Sequence, residues 1–386
     1  MLNILQQSAV GVGVLACAAS LLYLAGALWV MRAWRRRRPP QAQRLPPVTI
    51  LKPLCGAEPL LYENLRSFCT QDYPDYQVLF GVRDERDPAI PVVQRLIAER
   101  PGPDMALIVD DRVIGTNYKI SNLANMLAAA RHEYLIIADS DIAVGPDYLR
   151  SIVPPLEDPS VGVVTCLYRG RACGPIWSYL GSQFINEWFL PSVLVAAATG
   201  SRDFSFGSTL ALRREVLDGI GGFAALASHL ADDYMLGELT RRRGARTVLS
   251  PYLVETVVHE PRAADLIRHE LRWARTIRLV QPWGYAGSGI THTFPVCLLG
   301  GALIHTMPWG MAPPLLALAL RLVLHYSARK GLQLTDPAPV WLVPWRDILS
   351  FAIWIGSYMG RRVTWRQKEL SVQADGRIKE DKELLP

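Results

Sequence analysis

The first 31 residues carry no charged side chain, and the apolar run from Ser8 to Met31 leads directly into Arg32, Arg35, Arg36, Arg37 and Arg38. A bilayer core takes about 20 apolar residues to cross as a helix. With no water there to satisfy backbone N–H and C=O groups, a helix is the fold such a stretch must take. A secretory leader places its basic residues before the apolar run and ends in a small-residue cleavage site; here the order is reversed and no Ala-x-Ala-like site appears. Basic residues flanking a span stay on the cytoplasmic side, so residues 32 to about 285 are expected in the cytoplasm. Phe294–Pro308 and Met311–Leu324 are two further candidate membrane segments, short and punctuated by Pro308, Pro313 and Pro314. Val340–Met359 carries Arg346 and Asp347 near its middle. A full span would bury both charges at high cost, so a broken or re-entrant segment is expected, which keeps Arg361, Arg362, Arg366 and Lys368 cytoplasmic.

Between these apolar ends lies a stretch of different character, set off by the linker Arg38-Pro39-Pro40 to Leu45-Pro46-Pro47. Strands are expected at Val48–Leu51, Gln77–Val82, Met105–Val109 and Tyr134–Ala138, alternating with helices at Leu60–Cys69, Val92–Ala98 and Ile120–Ala130. That alternation argues for an α/β unit with a mostly parallel sheet covered on both faces. Further on, Val161–Val164 reads as a strand, Trp177–Leu190 and His229–Arg243 as helices, Arg246–Leu249 and Leu253–Val258 as two short strands. The six cysteines form no CxxC pair, so neither a zinc site nor a disulfide framework is expected. The net charge of +6 owes much to the arginine cluster, and no aromatic-basic interleaving of the nucleic-acid-binding kind occurs; no nucleic-acid partner is expected.

Chemistry-bearing residues follow the strands. Carboxylates at the C-terminal ends of parallel strands line the crevice where open α/β sheets bind ligands. Asp139 and Asp141, one residue apart after a strand, can both turn toward a hard cation that prefers oxygen ligands, Mg²⁺ or Mn²⁺, though a solvated turn gives the same spacing. Asp84 ends another strand, either as a surface charge or as an acceptor for a nucleobase or ribose. Asp232 and Asp233 open a helix, where acids complement the helix dipole and where one could serve as a general base. Lys119, in Gly115-Thr116-Asn117-Tyr118-Lys119, could neutralise a phosphate, with Asn117 as a helix cap. Helix 264–281 spaces Arg268, Arg272, Arg275 and Arg278 along one side, as an interfacial amphipathic helix would; Arg272 could also grip a phosphate.

As a set these strings resemble the ceramide glucosyltransferase-like group, glycosyltransferase family 21: Ile50-Leu51-Lys52-Pro53-Leu54, Gln71-Asp72-Tyr73-Pro74, Asp84 to Ile90, Gly115–Lys119, Asp139–Asp141, Gly207-Ser208, Leu212-Arg213-Arg214, Gly221-Gly222, Ala231–Tyr234 and Arg272-Trp273. The resemblance covers Val48 to Trp273. It implies a GT-A type (Rossmann-like) catalytic domain over 48–262 with one N-terminal and two to three C-terminal membrane segments. Around that domain come a span in 1–31, a linker over 32–47, an interfacial helix over 263–285, membrane segments over 286–360 and a cytoplasmic tail over 361–386. It implies a multi-pass protein of the cell inner membrane. The implied reaction is inverting transfer from a UDP-sugar to a lipid hydroxyl. Asp233 would be the base, Asp139 and Asp141 the metal ligands, and Lys52, Asp84, Lys119, Asp139, Arg272 and Trp273 the donor-binding set. One departure is clear: His269 stands where Gln or Arg is usual. The string from His269 to Arg275 looks more like a bacterial branch associated with hopanoids, which implies UDP-N-acetylglucosamine as donor and a hopanoid polyol as acceptor. The alternatives are a ceramide or other lipid glucosyltransferase using UDP-glucose, a processive polysaccharide synthase, and a non-catalytic membrane scaffold. No protein partner is indicated.

Overall fold

In the computed structural model, residues 2–39, 44–99, 102–201 and 204–360 are described, with the strand segments 362–365, 368–372 and 378–380. Part of the expected linker, 40–43, and the remainder of the expected tail lie outside the described residues. The chain divides into two compact units. One is a sheet unit, chiefly Arg37–Arg169 and Ser201–Val257; the other is a helical unit of Met1–Arg36, Gly170–Gly200 and Val258–Asp375. Residues 170–200, within the span expected to be catalytic, therefore group with the helices.

The sheet has eight strands: β1 Val48–Pro53, β2 Tyr76–Val82, β3 Asp104–Val109, β4 Tyr134–Ile137, β5 Ile142–Ala143, β6 Val161–Ala172, β7 Leu210–Arg213 and β8 Arg246–Val258. Their order is β3-β2-β1-β4-β7-β6-β8-β5. Strands β3, β2, β1 and β4 run parallel, with Ile50 opposite Val78 and Ile136. Beyond β4 the sheet turns antiparallel: β7 opposes both β4 and β6, and β5 opposes β8. The expectation of a mostly parallel sheet holds for the first half only. Both faces are packed, because alternate residues of one strand enter different cores. Ile50, Val78 and Phe80 join Leu65, Phe68 and Val93 on one side, while Leu51 and Leu79 join Ile120, Leu123 and Met126 on the other. Two-sided burial is why these strands read as unbroken apolar runs. Strand β8 is continuous where two strands were expected around Pro251. The amide of Tyr252 turns to the Ser250 hydroxyl (3.1 Å), so the ladder passes the proline through a local side-chain bond.

Among the described residues of the helical unit, one helix, Gln6–Trp34, is long and apolar enough to cross a membrane. The expected C-terminal segments form helices Thr293–Leu303, Ala312–Leu332 and Leu342–Gly356, none of which meets both conditions. Within the tail, Arg362–Trp365 and Lys368–Val372 pair as an antiparallel hairpin that was not expected. The two charges that spoke against a span at 340–359 are both buried and paired. Arg346 makes a bidentate bond to Glu270 (2.7 and 2.8 Å) and Arg321 makes one to Asp347 (2.8 and 2.8 Å). Removing one member of such a pair strands the other charge, at a cost of about 3–5 kcal/mol. Arg346→Met is expected to lower the thermal unfolding temperature in detergent accordingly, and adding Glu270→Gln to recover most of the loss. A single variant that melts like wild type would show the pair to be energetically idle.

Candidate active site

The parallel half of the sheet delivers two of the acids and the antiparallel half positions them. Asp139 follows β4, and β7, running back along β4, brings Gly207 to the same end. There the Asp139 amide donates to the Gly207 carbonyl (3.3 Å). The Gly207 amide in turn donates to Asp233 Oδ2 (2.9 Å), and Asp233 Oδ1 accepts from the Tyr234 amide (2.8 Å). Asp233 lies in the first turn of helix Asp232–Arg242, with its carboxylate fixed by two backbone donors.

Lys119 closes the cluster. Its ammonium lies 2.6 Å from Asp139 Oδ1 and 3.3 Å from Asp232 Oδ2. It sits in the first turn of helix Tyr118–Leu127, whose N-cap is Asn117: the Asn117 side-chain oxygen accepts the amides of Lys119 and Ile120. The other end of the same amide donates to the His229 carbonyl (2.8 Å) and to Asp232 Oδ1 (3.3 Å). One buried asparagine thus ties the starts of two helices together, a role beyond the cap expected of it.

The electrostatics follow from this crowding. Burial, and then Asp232 beside it, push the Asp233 carboxyl up to about 6, against Lys119 and the two amides, which pull the other way. Burial disfavours the Lys119 ammonium, yet Asp139, Asp232 and Asp233 outweigh that and hold it above its ordinary range. Asp141 is likewise pushed up to about 6 by burial, then by Asp139 and Glu58, while the Thr256 hydroxyl (2.7 Å) and Lys52 favour its charge. Glu58 accepts from Ser140 (2.7 Å), so acids surround the turn.

Lys52, expected among the donor-binding residues, is fully buried. Its ammonium bonds the Asp139 carbonyl and lies 3.9 Å from the Phe68 ring centroid, and burial drives it down to about 7 despite Asp141, Asp139 and Glu58. The structure places it under the Asp139 turn as a support. Asp84 is exposed just beyond β2, two strands from β4, and accepts from the Arg86 amide (2.8 Å). Arg272 and Trp273 belong to the helical unit, half-buried on helix Ala263–Val280. There Trp273 stacks on Phe184 (6.2 Å) and meets His269 (4.2 Å), and the His269 ring nitrogen Nδ1 contacts Glu260 (2.7 Å). Asp232 as a partner of Lys119, and Gly207, Glu58 and Thr256 as supports, did not emerge from the sequence. Gly207 and Asp232 had a signal there, in the Gly207-Ser208 and Ala231–Tyr234 strings.

Among the described residues no three His, Cys, Asp or Glu side chains converge as a metal nest. Asp139 and Asp141 still suit a hard cation: their donors are all oxygen, their charges repel, and one or two carboxylates commonly suffice when substrate phosphates complete the shell. Gly207 is required by space. A Cβ there would lie 2.7 Å from Asp139 Oδ2 and 3.2 Å from Lys119 Nζ. Gly207→Ala is therefore expected to displace that pair and cut turnover by about 10²-fold, measured as kcat on protein that still unfolds cooperatively. Wild-type kcat would mean that the pair yields without consequence.

The family model for Glycosyl transferase family 21 matches residues 12–378. Ceramide glucosyltransferase 1 of Caenorhabditis elegans is 24% identical over 357 residues, covering 88% of this chain and 74% of the relative. Ceramide glucosyltransferase of Candida albicans is 34% identical over 118 residues, 28% of this chain and 22% of the relative. Among solved structures, the mannosyltransferase PcManGT from Pyrobaculum calidifontis, in complex with GDP-Man and Mn²⁺, aligns over 91% of this chain and 99% of its own with 19% identity and a TM-score of 0.52. That likeness extends to the fold, a GT-A-like mixed sheet.

Proposed function

The chain belongs to glycosyl transferase family 21 and is a glycosyltransferase, and from that premise we propose that it is an inverting, membrane-held enzyme moving a sugar from a UDP-sugar to a lipid hydroxyl. The observation that carries the mechanism is the clamped Asp233 carboxylate, its proton affinity raised to about 6. A base works best when its pKa lies near the operating pH. Asp233 takes the proton of the acceptor hydroxyl as that oxygen attacks the anomeric carbon. The new carbon–oxygen bond forms as the bond from that carbon to the diphosphate breaks, and the electron pair leaves with UDP. Lys119 keeps Asp139 and Asp232 in place by bridging them. Asp139 and Asp141 would hold Mg²⁺ or Mn²⁺, which supplies Lewis-acid neutralisation of the diphosphate when bound. Asp84, and Arg272 with Trp273, are assigned to donor binding by their positions in the family's motifs; Lys52 acts there indirectly, from beneath the Asp139 turn.

The finer reading is UDP-N-acetylglucosamine as donor and a hopanoid polyol such as bacteriohopanetetrol as acceptor, supported by the string from His269 to Arg275. A second reading, UDP-glucose and ceramide, is favoured by the names of the relatives. Lipid extracts of cells with and without the protein, compared by mass spectrometry, decide between them: a hexosamine-bearing hopanoid supports the first and a hexosyl ceramide the second. A polymeric product, or no lipid change, would sink the proposal. The catalytic region is assigned to the cytoplasmic face of the inner membrane by the Arg35–Arg38 cluster; labelling of a cysteine placed near Glu99 from outside intact cells would overturn that.

A further inference from the structure

Three acids lie on helix Ala263–Val280 or just before it, and two of them are held by arginines. Asp265 bonds Arg262 (2.9 Å) and Arg268 (3.0 Å), and Glu270 holds Arg346 with both oxygens. Glu260 differs. Its side chain is 8% exposed, and its backbone amide donates to the buried Ser178 hydroxyl (2.8 Å). Among the described residues its ionisable partner is His269 alone, with Nδ1 2.7 Å from Oε1. A buried carboxylate needs a donor and a counter-charge, and one imidazole is placed to supply both.

That bond decides what the rest of the ring can do. An ionised carboxylate only accepts, so Nδ1 carries the hydrogen, and the tautomer and ring orientation are set by the partner behind it. Nε2 is left over. It has no partner among the described residues and is not sealed from solvent, the side chain being 38% exposed. Trp273 fixes the ring from a second side, 4.2 Å away and tilted by 54°, and itself stacks on Phe184. His269, Arg272 and Trp273 are three and four residues apart, so they share one face of the helix. An anion bound at that face would put the imidazole between two negative charges, where it holds both protons and Nε2 becomes a charged donor. Glutamine and arginine, usual at this position, also end in N–H donors.

We propose that Glu260 is a positioning residue that acts through His269, holding its ring so that Nε2 donates to a phosphate oxygen of the nucleotide. The assignment rests on the proposed function in taking the Arg272-Trp273 face as part of the donor site, and it adds to that site a hydrogen-bonded pair, Glu260 with His269.

The test is a double-mutant cycle on the full-length protein in detergent with Mg²⁺, the dissociation constant of UDP being read by isothermal titration. Glu260→Gln keeps the side chain's size and removes its charge. UDP should then bind about 10-fold more weakly, the scale of one hydrogen bond to a charged group. His269→Gln should weaken UDP by a similar factor. Because the carboxylate works only through the ring, the double variant should lose no more than either single one. Donor KM should rise in the same proportion while acceptor KM stays unchanged. If Glu260→Gln unfolds at a lower temperature than wild type, Glu260→Asp, which keeps the charge but draws it back from Nδ1, replaces it in the cycle. Independent losses that multiply to about 100-fold in the double variant, or wild-type UDP affinity in Glu260→Gln, would overturn the positioning role alone. Wild-type protein that binds no UDP in the presence of the cation would overturn the proposed donor site, and this assignment with it.

Discussion

Asp233→Asn should lower turnover by about 10²–10⁴-fold, the usual contribution of general-base catalysis, while leaving donor affinity close to wild type. Asparagine keeps the size of the side chain and one acceptor oxygen for the amides of Gly207 and Tyr234, so the clamp is largely preserved and the proton acceptor is lost. Asp232→Asn should cost less, because its carboxylate serves Lys119 and Asn117. The pH profile carries the same information. A base must be deprotonated, so with Asp233 at about 6 the rate should rise as the pH is raised through 6, and that limb should vanish in Asp233→Asn. The folded protein holds this proton more tightly than the unfolded chain, whose carboxyl has the ordinary value of 3.8. Ionising it therefore draws down stability as the pH rises from 3.8 toward about 6, the opposite of a salt-bridged aspartate. Turnover, donor affinity and pH dependence should be compared in one detergent preparation. Loss of turnover in Asp232→Asn with Asp233→Asn intact would move the base by one residue, and wild-type rates in both would remove it from this helix.

The paired substitution Asp139→Asn with Asp141→Asn should cost on the order of 10³-fold in rate, since neutralising a diphosphate leaving group is worth several kcal/mol. A chelator should abolish wild-type activity and added Mg²⁺ or Mn²⁺ restore it. Asp141 holds its proton up to about 6. A cation competes with that proton, so apparent metal affinity should weaken as the pH falls through 6. Isothermal titration of UDP with and without the cation reads this independently of turnover. Full activity of the double variant, or indifference to chelation, would exclude the assignment.

Much of this site was legible because its cues are local. Buried strands announce themselves by unbroken apolar runs, as at Gln77–Val82 and Tyr134–Ala138, and their ends fix where Asp84 and Asp139 stand. Asn117 reads as a helix cap because a short polar side chain at that offset reaches the free amides of the first turn. The uncharged N-terminus reads as a span because length and apolarity are sums over neighbours in the chain.

Tertiary structure alone decided what depends on residues distant in sequence. Lys52 matched a motif, and only the closure of β1 against the Asp139 turn shows that its ammonium is buried on the Asp139 carbonyl. Arg346 and Asp347 looked too costly to bury until Glu270 and Arg321 arrived from other helices to pair with them. Gly207 needed β7 to run antiparallel beside β4 before its missing side chain had meaning. The sequence by itself determined the parallel strands, the long apolar N-terminal helix and the identity of the acids. Their protonation and pairing were decided by folding, because burial and charge act through space and the chain order does not record those distances.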